Sequence, residues 1–195
     1  MFDASIIQIL PTLAHSHHLH VACEETRRNP SMLDSFLRSR SIGMIDLTPS
    51  LFDLMLDHWQ AEARSCPVRL VVLGGEAVST GLMARIFDNP AHRDLLVLNA
   101  YGPTECCVGA TTHLMTARNW REILPPPVGM PLSGVVADIL DAAGRPVPDG
   151  VAGEIWIGGT GVGRGSLGAD DAADARFVTD DDGARWYRSG DIGRR

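Results

Sequence analysis

The densest concentration of residues able to do chemistry is Asn99-Ala100-Tyr101-Gly102-Pro103-Thr104-Glu105, which follows directly on an apolar run with the character of a strand. Gly102 and Pro103 would fix a tight turn that presents the Thr104 hydroxyl, the Glu105 carboxylate and the aromatic face of Tyr101. Such a group suits a nucleotide with its metal: the ring stacks on a base, the hydroxyl donates to a phosphate and the carboxylate holds magnesium. A second stretch, Gly74-Gly75-Glu76-Ala77, also closes an apolar run, and its glycines let the backbone approach a ligand before a helix opens. On pattern alone both stretches also describe ordinary tight turns, so residue type leaves both readings open.

The elements that must position these loops read as alternating strands and helices. Ile6, Ile7, Leu10, Leu13 and Ala14 fall at helical spacing from Phe2 onward, with Pro11 expected to kink or end the helix. Leu19 to Cys23 reads as a strand, followed by a turn through Glu24 to Arg28. Asn29-Pro30 and Thr48-Pro49 are each a cap residue followed by a first-turn proline, and Ser79 is a third cap. Ile42 to Leu47, Arg69 to Leu73 and Leu95 to Leu98 read as further strands between those helices. The pattern predicts an α/β fold, a mostly parallel sheet with flanking helices in a doubly wound arrangement, over residues 1–125. Ligands of such sheets bind beyond the carboxyl ends of the strands, where both candidate loops stand. Prolines 125, 126, 127 and 131 then change the character of the chain, and short β-rich runs predict a small barrel-like subdomain over 126–195.

Composition narrows the chemistry. All 17 basic residues are arginine, so any step that needs a lysine amine must place it outside this chain. A net charge of −7 with no long basic run argues against nucleic acid or an anionic membrane as partner. No apolar stretch approaches the ~20 residues of a spanning helix, and no signal-like N-terminus is present, which makes a cytoplasmic location the default. Cys23, Cys66, Cys106 and Cys107 lack paired spacing and read as reduced thiols.

Three tempting signals lead elsewhere. His15, His17, His18 and His20 lack a second ligand pair at metal spacing and read as a solvated turn. Gly159, Gly161, Gly163 and Gly165 alternate without producing the dinucleotide-binding GxGxxG. Asp180-Asp181-Asp182-Gly183 lacks the later ligands of a calcium loop and reads as a hairpin turn between Phe177 and Trp186.

Taken together, the stretches Phe2-Asp3-Ala4-Ser5, Gly74 to Ala77, Asn99 to Glu105, Gly153 to Gly159 with Gly161 to Gly165, and Tyr187-Arg188-Ser189-Gly190-Asp191 resemble successive core motifs of the adenylate-forming superfamily. The resemblance is to the amino-acid adenylation domains of nonribosomal peptide synthetases. It implies ATP with Mg2+ activating a carboxylic acid to an acyl-adenylate, then transfer to the phosphopantetheine thiol of a carrier protein. The implied partners are the carrier-protein and condensation domains of a multidomain synthetase and, in some systems, a small activator protein. By matching position, Thr104 would contact phosphate and Glu105 would ligate magnesium. Tyr101 would pack on adenine beside the backbone of Gly75, Glu76 and Ala77, with Asn99 near the adenine edge and Gly102 in the same nucleotide loop. Asp191 would take both ribose hydroxyls, since a carboxylate offers two acceptor oxygens.

Asp3 matches the aspartate that pairs with the α-ammonium of an amino-acid substrate. The remaining pocket positions implied by motif spacing are Ala4, Ile7, Ser50, Val72, Gly74, Ala100, Val108 and Gly109. None is charged and most are small, which predicts a wide apolar hole for a bulky, for example aromatic, side chain. Ser166 stands where the family often has an aromatic, and Ser189 where it often has threonine. Two other readings stay open on the sequence: a non-catalytic truncated remnant that binds nucleotide or a partner, and a fragment of an aryl- or acyl-CoA ligase, against which Asp3 argues.

The family's phosphate loop and its lid lysine have no counterpart in these residues, so the chain is expected to be the central portion of a larger enzyme and inactive in adenylation alone. The purified 195-residue chain is therefore expected to show no amino-acid-dependent exchange of pyrophosphate into ATP; measurable exchange would contradict this.

Overall fold

The structure, a computed structural model, describes residues 3–165 and 175–195, so the expectations placed on Phe2 and Ser166 lie outside the described residues. The chain forms two compact units: Ala4–Ala100 with His113–Gly129, and Tyr101–Thr112 with Met130–Arg195, to which Asp3 also belongs.

In the α/β unit, α1 (Ala4–Ala14), α2 (Glu24–Arg28) and α3 (Pro30–Ser39) precede β1 (Met44–Leu47), α4 (Pro49–Ala61), β2 (Leu70–Gly74), α5 (Thr80–Phe87) and β3 (Leu96–Tyr101). The cap signals set the helix starts. Asn29 accepts hydrogen bonds from the Ser31 and Met32 amides, Thr48 from Leu51 and Ser79 from Leu82. Pro11 does not end α1, since the helix continues to Ala14 and loses only the bond a Pro11 N–H would have made. Residues 19–23 are not a strand, and Val21 is 81% exposed. Residues 24–28 form the short α2 where a turn is expected, with Glu24 and Glu25 in its first turn and Arg27 and Arg28 in its last.

β1, β2 and β3 pair in parallel, with Asp46 opposite Val72, Val72 opposite Leu98, and Gly74 opposite Ala100. Alternation divides the sheet into two faces. Val71, Leu73 and Val97 are fully buried among Phe52, Met55 and Trp59 of α4 and Met83 and Ile86 of α5. Asp46, Val72, Gly74, Leu98 and Ala100 occupy the opposite, half-buried face.

One buried charge ties this core together. The Asp34 carboxylate, 1% exposed, accepts from Trp59 Nε1 at 2.6 Å, from Arg38 Nε at 2.9 and 3.0 Å, and from Arg64 Nη1 at 3.1 Å. Burial works against its charge, yet the bonds from Arg38, Trp59 and Arg64 hold its pKa below the usual carboxylate range. His92, also buried, accepts from the Cys66 amide through Nε2 and bonds the Ile86 carbonyl through Nδ1; burial lowers its pKa and keeps it neutral.

In the β-rich unit, β4 (Thr111–Met115, whose last three residues belong to the α/β unit) pairs antiparallel with β5 (Met130–Pro131). A separate antiparallel sheet contains β6 (Val135–Leu140), β7 (Gly153–Gly159), β8 (Phe177–Thr179) and β9 (Arg185–Gly193) in the order β6-β7-β9-β8. Its core is Ile139, Ile155, Ile157 and Tyr187 with Cys106 and Ala110. Asp180 closes the β8–β9 hairpin by accepting from the Asp182 and Ala184 amides and from Trp186 Nε1 at 2.9 Å. Among the described residues no helix is long and apolar enough to cross a membrane.

Replacing Asp34 by alanine leaves the buried Trp59 N–H without its acceptor and opens a void, and is expected to cost about 2–4 kcal/mol in urea unfolding. A loss below about 0.5 kcal/mol would show that this network does not hold the α/β core.

Candidate active site

The loop after β3 is built by a close approach. A Cβ on Gly102 would lie 2.5 Å from both the Ala110 nitrogen and the Val108 oxygen, so no other residue fits this return. The Ala110 amide bonds the Tyr101 carbonyl at 2.8 Å, closing the loop on itself. Inside it, Thr104–Cys106 make one 3-10 turn, Cys107 adopts φ 58° and Val108 φ 72°. The Gly109 amide bonds the Cys107 carbonyl at 2.8 Å across Val108, a strained γ-turn for a β-branched residue. Burial first, and then the neighbouring Glu105, push the Cys106 thiol up to about 12, so it is an inert core group.

Within the same unit the loop's functional side chains meet partners far along the chain. Tyr101 donates its phenol hydrogen to Asp191 at 2.6 Å, and burial followed by that bond pushes the phenol's pKa well above its ordinary value. Asp191 is itself positioned: its amide donates to Ser189 Oγ at 3.0 Å, while the Ser189 hydroxyl donates to the Ile155 carbonyl at 2.7 Å. Serine therefore keeps the hydroxyl that a threonine would supply. Thr104 donates to the Asp3 carboxylate.

Two supports were not anticipated from the sequence. The carbonyl of Glu105 accepts from the Gly163 amide at 2.7 Å, and a Cβ on Gly161 would lie 3.3 Å from the Cys106 oxygen. The glycine run thus packs against the back of the loop, which is why small residues alternate there. Tyr187, 3% exposed, is hydrogen-bonded to the Glu105 carboxylate and to the Arg176 side chain. Tyr187 opens the Tyr187 to Asp191 stretch singled out in the sequence, which gave it no role of its own; it also packs on Phe177, opposite it in the β8–β9 register. Glu154 fixes the turn before Asp191 by accepting from Arg188 Nε and Nη2 and from the Gly190 amide. Despite partial burial, those bonds and one from Trp156 keep its pKa low.

In the α/β unit, β2 ends at Gly74, where a Cβ would lie 3.2 Å from the Ala100 oxygen, and Gly75 turns the chain with φ 79°. Glu76 and Ala77 follow on the surface. The Glu76 carboxylate accepts from the Ser50 amide at 3.0 Å and from the Ser50 hydroxyl, capping the first turn of α4. Asn99, 5% exposed, alternates to the face opposite Ala100, and its side-chain amide donates to the Pro127 carbonyl at 2.8 Å.

The residues expected to line an acyl pocket divide between the units: Ala4, Ile7, Ser50, Val72, Gly74 and Ala100 belong to one, Asp3, Val108 and Gly109 to the other. Within the α/β unit, Val72, Gly74 and Ala100 share the half-buried sheet face. Ser50 is not on it. The residue in register with Val72 is Asp46, four positions earlier in the chain, and it brings a carboxylate to a face expected to be uncharged. Spacing could not reveal this, because strand register is set by tertiary pairing. His15, His17, His18 and His20 are all exposed, and no group of three or more metal-ligating side chains is arranged for an ion among the described residues.

The chain thus combines a parallel sheet with loops at its strand ends and a separate antiparallel sheet whose Asp191 is bonded to Tyr101. The chain belongs to the AMP-binding enzyme family, whose model matches residues 1–167. It is 30% identical over 194 residues to bacitracin synthase 1 of Bacillus licheniformis, covering 98% of this chain and 4% of that one. To surfactin synthase subunit 1 of Bacillus subtilis it is 33% identical over 198 residues, covering 99% of this chain and 5% of the relative. The crystal structure of a four-domain nonribosomal peptide synthetase bound to AMP and glycine matches with a TM-score of 0.83 and 29% identity, covering 98% of this chain and 14% of that one. The chain thus spans a small part of the length of the relatives it matches, and its likeness is to the adenylation domains of nonribosomal peptide synthetases.

Proposed function

We propose that the chain is part of an enzyme that activates an α-amino acid with ATP to an aminoacyl-adenylate and passes the acyl group to a carrier-protein phosphopantetheine thiol in nonribosomal peptide synthesis. The observation that carries this reading is the Tyr101 phenol bonded to the Asp191 carboxylate at 2.6 Å. An adenosine presents a flat ring beside two vicinal hydroxyls, and an aromatic face beside a two-oxygen acceptor is the complementary pair. Within the α/β unit the Gly75-Glu76-Ala77 backbone is exposed, and Asn99 holds its segment through Pro127. The chemistry of the donors also suits Mg2+: Glu105 offers hard carboxylate oxygens, and the neighbouring Thr104 a hydroxyl for phosphate. Bound there, magnesium supplies neutralisation of phosphate charge.

Asp3 holds the α-ammonium of the amino acid in this reading. Its carboxylate already accepts from Thr104, so the group that recognises the substrate's cation and the group that meets its phosphate partner are directly bonded. An uncharged analogue brings no positive charge to that carboxylate, which is the basis of selection for an amino acid. Val72, Gly74 and Ala100 leave room on the sheet face for a bulky side chain with an apolar body. The protein works in the cytoplasm, with carrier and condensation domains as partners and, where the synthetase uses one, a small activator protein.

Titration calorimetry with AMP tests the nucleotide half of this reading on the 195-residue chain. Asp191→Ala, which removes both ribose acceptors, is expected to weaken binding at least about tenfold, as lost hydrogen bonds to a charged group do, whereas Tyr101→Phe keeps the ring and changes binding less. AMP binding that is indifferent to Asp191→Ala would overturn the assignment.

A further inference from the structure

Acids dominate the candidate nucleotide site of the β-rich unit: Asp3, Glu105 and Asp191 belong to it, and Glu154 holds the turn before Asp191. Such a collection repels a phosphate unless a cation stands beside it. The chain has no lysine, so within it that cation has to be an arginine. Arg145, Arg188 and Arg195 are paired with Asp141, Glu154 and Asp138. Arg185 donates to the Gly163 carbonyl at 2.8 Å and lies over the Phe177 ring. Arg176 is exposed, and among the described residues its guanidinium forms no ion pair with a carboxylate.

Its place is fixed from two sides. Arg176 Nη1 donates to the Ser189 carbonyl at 3.3 Å, and a Cβ on Gly190 would lie 3.6 Å from that nitrogen, so the guanidinium rests on the turn that carries Asp191. It also donates to the buried Tyr187 hydroxyl, whose own hydrogen goes to the Glu105 carboxylate. The Arg176 carbonyl accepts from the Arg188 amide at 2.9 Å, which holds the root of the side chain. The cation therefore touches the segment of the ribose acceptor on one side and the partner of the metal carboxylate on the other. A guanidinium has five N–H donors, more than these two bonds use.

We propose that Arg176 is a phosphate-binding residue of this site, its guanidinium taking oxygens of the nucleotide's α-phosphate while Tyr187 and the Ser189 carbonyl hold it in place. This rests on the reading of Asp191 as the ribose acceptor and Thr104 as a phosphate contact, since the 5′-phosphate then spans the gap between them. A guanidinium suits the task because its planar fork meets two phosphate oxygens at once and stays charged beside the acids.

Calorimetry of the 195-residue chain with AMP and with adenosine, both in EDTA so that no metal contributes, tests this. AMP is expected to bind at least about tenfold tighter than adenosine, as charge-assisted hydrogen bonds imply. Arg176→Gln is expected to bring AMP within about threefold of adenosine and to leave adenosine binding unchanged. Arg176→Lys keeps a charge without the fork and is expected to retain part of the AMP preference. AMP and adenosine binding alike in the unaltered chain, an AMP preference that survives Arg176→Gln, or an equal loss of both ligands in that variant would overturn the assignment and leave nucleotide binding standing. Binding of neither ligand by the unaltered chain would overturn both this assignment and the nucleotide reading.

Discussion

The bond from Tyr101 to Asp191 joins residues 90 positions apart and is the contact on which the β-rich unit's functional geometry depends. It holds an aromatic ring and a carboxylate side by side, and every neighbouring feature serves one partner or the other. Gly102 makes the return that aims Tyr101, because backbone atoms 2.5 Å from a would-be Cβ exclude any side chain. The Ser189 hydroxyl, the Gly190 amide on Glu154 and the Arg188 pair on the same carboxylate fix the turn that aims Asp191. The Val108 γ-turn is local strain, and the closed loop around it supplies the restraint that strain requires.

In the α/β unit the governing constraint is the sheet's two faces. One is sealed by Phe52, Met55, Trp59, Met83 and Ile86 and braced by Asp34. The other is half-buried, small and carries Asp46. A fully buried face gives the strands fixed register, and fixed register is what allows Asp46, Val72, Gly74 and Ala100 to be assigned to one surface. The two sides of the same three strands thus differ, one a sealed core and the other half-buried.

What the sequence made legible was what local chemistry decides. Asn29-Pro30, Thr48-Pro49 and Ser79 mark helix starts because capping needs only residues within one turn. The β3 loop stood out because glycine, proline, a hydroxyl and a carboxylate lie in one short stretch. What depended on distant partners was not legible. Leu19 to Cys23 has strand composition, yet among the described residues no strand pairs with it. Tyr187 supports Glu105 from a different strand, and the glycines 161 and 163 serve packing against the loop. Motif spacing carries no strand register, which is why it points to Ser50, a residue that bonds Glu76 at the start of α4, while Asp46 is the one opposite Val72.

Hydrogen–deuterium exchange of the 195-residue chain with and without AMP tests most directly whether the Tyr101–Asp191 pair is a nucleotide site. The account predicts that AMP slows exchange in Tyr101 to Glu105 and in Ser189 to Asp191 together, since both partners of one contact would be engaged. Protection absent from both segments, or confined to strands such as β6 that carry none of these groups, would contradict it.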